Sequence, residues 1–165
     1  MILYVVRHAA AADREAHMTD AERPLTGEGV ARMKTVARGL ARIGIAPAVI
    51  CTSPALRARE TAAIVAKALG KGVCVKDCDA LLPGRDAAEV LEFLKRNPVE
   101  AAVVVGHEPQ LGDLISLVVA GSAAPLVDMK KAAVSCIEFE GPPAAGKGVI
   151  LWHLVPAVVE ALLAK

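Results

Sequence analysis

Aromatic residues are almost missing from this chain: one Trp, one Tyr and two Phe among 165 residues. Its core must therefore be filled mainly by Ala, Val, Leu and Ile. An excess of one charge is missing too. Nineteen basic side chains meet eighteen acidic ones, for a formal net charge of +1. That balance argues against a general nucleic-acid binder or an anionic-membrane binder. No apolar run reaches the length of a membrane span. The N-terminus lacks a basic region, and Arg7-His8 interrupts the first apolar run too early for a signal peptide. None of the four cysteines, Cys51, Cys74, Cys78 and Cys136, forms a C-x-x-C pair. Cys74-x-x-x-Cys78 has no second pair to complete a zinc site, so we expect buried, reduced thiols in a cytoplasmic protein. Internal repeats and long linkers are also absent. What remains is a chain 55% hydrophobic, with mean hydropathy +0.46, long enough for one domain spanning 1–165 with a substantial core.

Ile2–Val6 reads as a buried strand, rich in β-branched and aromatic residues. Thr26 is placed to cap a helix over Gly27–Ile43, with Val30, Met33, Val36, Ala37, Leu40 and Ile43 apolar and Gly44 as its stop. Ala48–Cys51 is a second short strand. Pro54 suits the first turn of a helix running to about Leu69, closed by Gly70. Val73–Lys76 is a third strand, Asp86–Arg96 a helix, and Ala101–Val105 an unbroken apolar strand. A helix from about Gln110 to Val119 follows. The tail changes character: Ala133–Phe139 and Val149–His153 read as strands around a Pro-Gly-rich connection, Gly141 to Gly148, with a terminal helix over Pro156–Ala164. Strand–helix alternation through the first 120 residues implies parallel βαβ units with helices on both faces. A hairpin-linked final strand pair would make the sheet mixed.

Three strand ends carry polar groups. The first has Arg7 and His8. The second has Thr52-Ser53-Pro54-Ala55-Leu56-Arg57, with Arg57 in the first turn of its helix. The apolar strand near residue 100 ends in Gly106-His107-Glu108-Pro109. In a parallel sheet these carboxyl ends share one edge, where open α/β sheets bind their ligands. Two arginines and two histidines with no dedicated carboxylate partner call for an anion. The guanidinium fork matches phosphate oxygens, and helix N-termini after Ser53 and His107 add backbone donors.

Arg7-His8 after a first strand, Arg23-Pro24-Leu25-Thr26-x-x-Gly29, Ser53-Pro54-x-x-Arg57-x-x-x-Thr61 and Gly106-His107-Glu108-Pro109 together resemble the histidine phosphatase superfamily. The short chain and the Arg-Pro-Leu-Thr motif are most similar to its SixA-type phosphohistidine phosphatases. The resemblance covers Ile2 to about Gly121. It implies a phosphoglycerate mutase-like three-layer sandwich, in which a mostly parallel mixed sheet carries helices on both faces. It implies further that His8 accepts the phosphoryl group and that Arg7, Arg57 and His107 bind it, with no metal or other cofactor. The nucleophile must be neutral. Two nearby arginines disfavour its imidazolium, and a carbonyl accepting from Nδ1–H would leave Nε2 free.

Other residues carry two readings each. Arg23 either reaches the pocket rim or is a solvated charge beside a turn. Ser53 caps its helix, with its hydroxyl near the phosphoryl group. Thr61 packs or back-bonds within its helix. His17 and His153 are structural or surface residues. Lys130-Lys131 is a solvated pair or helps dock an acidic or phosphorylated protein. Relatives that cleave phosphate monoesters carry a glutamate general acid after the third strand. Here Ala80 stands at the matching place, leaving Asp79 or Glu108 as substitutes. The readings against them are a loop carboxylate for Asp79 and a helix-start residue favoured by the dipole for Glu108. An alkoxide needs a positioned acid, worth roughly two to four powers of ten in rate, whereas the imidazole of phosphohistidine departs readily once protonated. Only Asp77 to Arg85 separate the third strand from the next helix, so we expect a shallow, open pocket. The expected function is hydrolysis of phosphohistidine on a signalling or phosphotransfer protein by a monomeric enzyme. A small-molecule phosphomonoesterase or mutase of the same superfamily is the first alternative, and a catalytically silent phosphate- or phosphoprotein-binding module the second.

Overall fold

The computed structural model describes residues 1–70, 72–122 and 126–164. Six strands form one sheet in the order β3-β2-β4-β1-β5-β6. The strands are β1 (Ile2–Arg7), β2 (Val49–Thr52), β3 (Cys74–Asp77), β4 (Ala101–Gly106), β5 (Val134–Glu138) and β6 (Val149–Leu154). The helices are α1 (Gly27–Arg42), α2 (Leu56–Leu69), α3 (Ala87–Arg96), α4 (Gln110–Ala120) and α5 (Pro156–Leu163). β1, β2, β3 and β4 run parallel, while β5 is antiparallel to both β1 and β6. The sheet is therefore mixed, with an antiparallel pair at its C-terminal end, as the change in sequence character after residue 120 implied.

Strand alternation divides the core into two layers. Leu3 and Val5 of β1 and Val104 of β4 pack with Val90, Leu94, Leu111 and Leu114 of α3 and α4. Val6 of β1 and Val103 and Val105 of β4 pack on the other face with Met33, Val36, Leu40 and Val65 of α1 and α2. Both faces of β1 and β4 are covered, which is why these strands read as continuous apolar runs. The large fully buried side chains are Leu, Ile, Met and Val, as a chain so poor in rings requires.

Several expected boundaries shift. Pro54 precedes α2 rather than opening it, because the helix begins at Leu56 with Ala55 as N-cap. Asp86 lies just outside α3, where its carboxylate accepts from Ala88 N at 2.8 Å. Thr26 caps α1 as expected, accepting from Gly29 N at 2.9 Å. Cys51, Cys78 and Cys136 are buried and free, as expected of reduced thiols, but Cys74 is exposed on the edge strand β3.

The Arg-Pro-Leu-Thr-x-x-Gly stretch also has a structural explanation. Thr26 N donates to Ala10 O at 2.9 Å, and a Cβ on Gly29 would lie 2.2 Å from the same oxygen. Only glycine lets the N-terminus of α1 pack this closely against the segment that follows His8. That packing ties the long β1–α1 connection to the carboxyl edge of the sheet.

Candidate functional site

Register sets the site. β4 lies between β1 and β2, with Arg7 opposite Gly106 and Thr52 opposite Val105. The ladder continues one residue further on both sides, as His8 N donates to Gly106 O at 3.1 Å and Ser53 N to Val105 O at 2.9 Å. The chain leaving three adjacent strands therefore delivers His8, His107 and Ser53 to one place. The two imidazoles lie 5.0 Å apart, tilted by 56°. Ser53 Oγ lies 2.8 Å from His107 Nε2 and also accepts from Ala55 N at 3.3 Å.

His8 is 8% exposed, and its Nδ1 lies 2.7 Å from Ala9 O. A carbonyl only accepts, so this contact assigns the proton to Nδ1 and the lone pair to Nε2. Thr61 holds the same stretch of backbone. Its hydroxyl donates to Arg57 O at 2.7 Å, the expected back-bond within α2, and accepts from Ala9 N at 3.1 Å. Burial is the main cause that lowers the His8 pKa, to about 4; the Ala9 carbonyl opposes it, and Arg57 and Arg7 add to it. For His107 burial again leads, followed by the His8 and Arg57 charges, lowering its pKa to about 3. Both rings are neutral at pH 7. The arginines contribute as expected, but desolvation does more.

Arg57, 5% exposed, is the second residue of α2. Its Nη1 donates to Asp20 O at 2.6 Å and its Nη2 to Asp20 Oδ2 at 2.8 Å. Arg23 donates from Nη1 to the other carboxylate oxygen of Asp20 at 2.9 Å, and from Nε to Ala12 O at 2.8 Å. Asp20 thus bridges the two arginines, and its pKa is lowered, first by its bond to Arg23. This corrects the expectation that the cationic cluster has no carboxylate partner. Sequence reasoning missed Asp20, although it lies three residues before Arg23 in a 3-10 turn, Asp20–Glu22, closed by a Thr19–Glu22 capping box. Arg23 is neither free at a rim nor fully solvated; it stands one carboxylate behind Arg57.

Arg7 donates from Nη1 to Met129 O at 2.6 Å, while its Nε is buried without a hydrogen-bond partner among the described residues. His107 Nδ1 is likewise buried and without a partner among them. Leaving such donors unmet costs about 1–3 kcal/mol each.

The remaining candidates sit apart. Asp79 is exposed at the start of the 3-10 turn Asp79–Leu81, makes no side-chain hydrogen bond or ion pair among the described residues, and acts electrostatically on Cys78. Ala80 offers its carbonyl to Gln110 Nε2 at 2.7 Å. Glu108 folds back onto α4, its Oε1 accepting from Gly112 N at 3.1 Å. Burial raises its pKa, and Arg7 partly opposes that rise. His17 lies on the surface beside Glu15, and His153 pairs with Ser135 Oγ at 2.8 Å. His8, Arg57 and His107 are each at least 92% buried. The β1–α1 segment supplies Asp20 against Arg57.

A model of the histidine phosphatase superfamily, branch 1, matches residues 3–81. An uncharacterised protein of Picosynechococcus is 39% identical over 138 residues, 81% of this chain and 82% of its own. The structure of the protein histidine phosphatase SixA complexed with tungstate superposes with a TM-score of 0.84 at 25% identity, covering 96% of this chain and 99% of that one. The chain belongs to the histidine phosphatase superfamily, and within it is of the SixA type. A mycobacterial glucosyl-3-phosphoglycerate phosphatase shares the fold at 15% identity, with a TM-score of 0.70 over 91% of this chain and 96% of that one. Family and fold together make the protein a phosphatase with the phosphoglycerate mutase-like architecture.

Proposed function

We propose that this histidine phosphatase hydrolyses phosphohistidine on a protein through a phosphorylated His8, without a metal. The observation that carries the reading is the state of His8: neutral, its Nδ1 proton directed to Ala9 O, its Nε2 free beside Arg7, Arg57 and His107. In the first step Nε2 attacks phosphorus and the P–N bond to the substrate imidazole breaks. That imidazole leaves with a proton taken from solvent. In the second step water attacks the phosphorus of phospho-His8, His8 departs as neutral imidazole, and phosphate is released.

Arg7 and Arg57 bear the charge of the equatorial oxygens. The unpaired donors Arg7 Nε and His107 Nδ1 suit an oxyanion, since Ser53 Oγ–H can donate to His107 Nε2 and leave the ring proton on Nδ1. Tungstate, held by the similar SixA, is an oxyanion of the same kind.

Substrate choice follows from the leaving group. Transfer from one imidazole to another exchanges one P–N bond for another, and a phosphohistidine ring protonated by solvent on its other nitrogen leaves as neutral imidazole, conjugate acid pKa about 6.5, with no positioned acid. An alkoxide does need one. Asp79 is exposed and Ala80 replaces the expected glutamate, which favours the P–N substrate. The second reading, a phosphomonoesterase, rests on Glu108, a half-buried carboxyl with a raised pKa near Arg7. The deciding measurement compares kcat/KM for a histidine-phosphorylated protein with values for p-nitrophenyl phosphate and sugar phosphates. The proposal expects the phosphohistidine protein to be the fastest; faster hydrolysis of the monoesters would reject it.

A further inference from the structure

Beside the site, a groove of ≈ 580 Å³ runs from Arg7 past Lys130 and Lys131 to Arg32, Val155 and Pro156. Four cations line it, and two are already paired with carboxylates. Arg32 is paired with Glu160 at 3.0 Å, the one carboxylate in the lining, and Lys130 is paired with Asp128. Arg7 and Lys131 have no carboxylate within 4.0 Å among the described residues.

Lys131 is placed there by the backbone. Ala133 N donates to Lys130 O at 2.8 Å, closing a turn with Lys131 and Ala132 at its centre. Ala132 has φ +63°, a left-handed conformation that disfavours alanine, and it is nevertheless buried. The turn is fastened directly to the nucleophile's strand: Ala132 N donates to His8 O at 3.2 Å, and Arg7 N to Ala133 O at 3.1 Å. Backbone strain kept beside an active centre is worth a functional hypothesis. Here it holds an uncommitted ammonium within a few residues' reach of His8.

We infer that this groove is the docking surface for the protein substrate, and that Lys131 recognises a carboxylate flanking the phosphohistidine while Arg7 takes the phosphoryl group. The occupant follows from charge complementarity and from continuity with the site through Arg7. This rests on the proposed phosphohistidine activity and deepens it, because it names a sequence preference.

Two synthetic phosphohistidine peptides, identical except for Glu or Lys beside the phosphohistidine, test it together with phosphoimidazole. Wild-type enzyme is expected to favour the Glu peptide in kcat/KM by about fivefold, the size of one partly exposed charge pair. High salt shrinks that preference. Lys131→Glu reverses it, Lys131→Arg keeps it, and Lys34→Glu, an equal change of net charge in a separate depression, leaves it unaltered. Equal use of the two peptides by the wild type overturns the inference. So does a Lys131→Glu variant that loses phosphoimidazole turnover as much as Glu-peptide turnover, since Lys131 would then act on the phosphoryl group itself. An enzyme that hydrolyses monoesters but none of the P–N substrates defeats the functional reading, and this inference falls with it.

Discussion

The two arginines beside His8 are held by opposite means. Arg57 has both terminal nitrogens on Asp20, and Arg23 supports that carboxylate from behind. Arg7 has one backbone carbonyl, Met129 O, and a buried Nε with no partner among the described residues. A guanidinium 5% exposed is costly without a counter-charge, so Asp20 offsets the burial of Arg57 and orients it. The same carboxylate also cancels part of the field that Arg57 sends into the site. Arg7 keeps its charge uncompensated and lines the open groove. One arginine is thus built for orientation and the other for charge, and each can be removed separately.

The largest effect is expected from deleting the group both arginines serve. His8→Ala should lower turnover by about 10⁴-fold or more and abolish an acid-labile phosphoenzyme, with the circular dichroism spectrum unchanged; retained turnover would dismiss the covalent route. Arg7→Ala and Arg57→Ala should each cost roughly 10²–10³ in kcat/KM, the scale of a lost oxyanion donor. They should differ in urea unfolding, where only Arg57→Ala also breaks an ion pair, that with Asp20. Equal stability of the two variants would erase the contrast.

Titration of the imidazoles comes next. His8, with a pKa of about 4 when folded and about 6.5 when unfolded, takes up a proton on unfolding between those values. Stability should therefore rise with pH from about 4 to 6.5, being full above the unfolded value and lost as pH falls. His107, lowered to about 3, acts in the same direction. Urea midpoints at pH 5 and 7 measure this, and His107→Gln should flatten the slope.

Asp20→Asn sharpens the comparison further. Removing the charge while keeping the shape should lower kcat/KM about tenfold through a less well-oriented Arg57, with about 1 kcal/mol of stability lost at this half-exposed pair. A fall in KM would show instead that Asp20 competes with the phosphoryl group for Arg57. The smallest effect belongs to Glu108→Gln, which keeps a carbonyl oxygen for Gly112 N and should change phosphohistidine turnover by less than about threefold. A large loss confined to monoesters would favour the second reading.

Legibility in the sequence tracked the range of the interactions. Continuous apolar runs marked β1 and β4 because both of their faces are buried, and Thr26 and Gly44 marked the ends of α1 because caps act within a turn. Arg7, His8 and His107 were readable because they stand at strand ends, and Arg57 because it opens the helix after β2; strand ends in a parallel sheet share an edge. Asp20 was not readable, because its meaning lies in Arg57, 37 residues away. Cys74 is exposed because an edge strand carries apolar residues that nothing covers.

By itself the sequence determined the order of strands and helices, the composition of the core and the superfamily, and it pointed to the four groups that the proposed function uses. These follow from local periodicity, caps and short motifs, in which cause and effect lie within a few residues. Only the tertiary structure decided that burial rather than the arginines chiefly neutralises His8, that Asp20 pairs with Arg57, and that the strained Lys130–Ala133 turn is fastened to the end of β1 at His8. Desolvation, ion pairing and sheet register are properties of residues brought together from distant parts of the chain, and they exist only once it has folded.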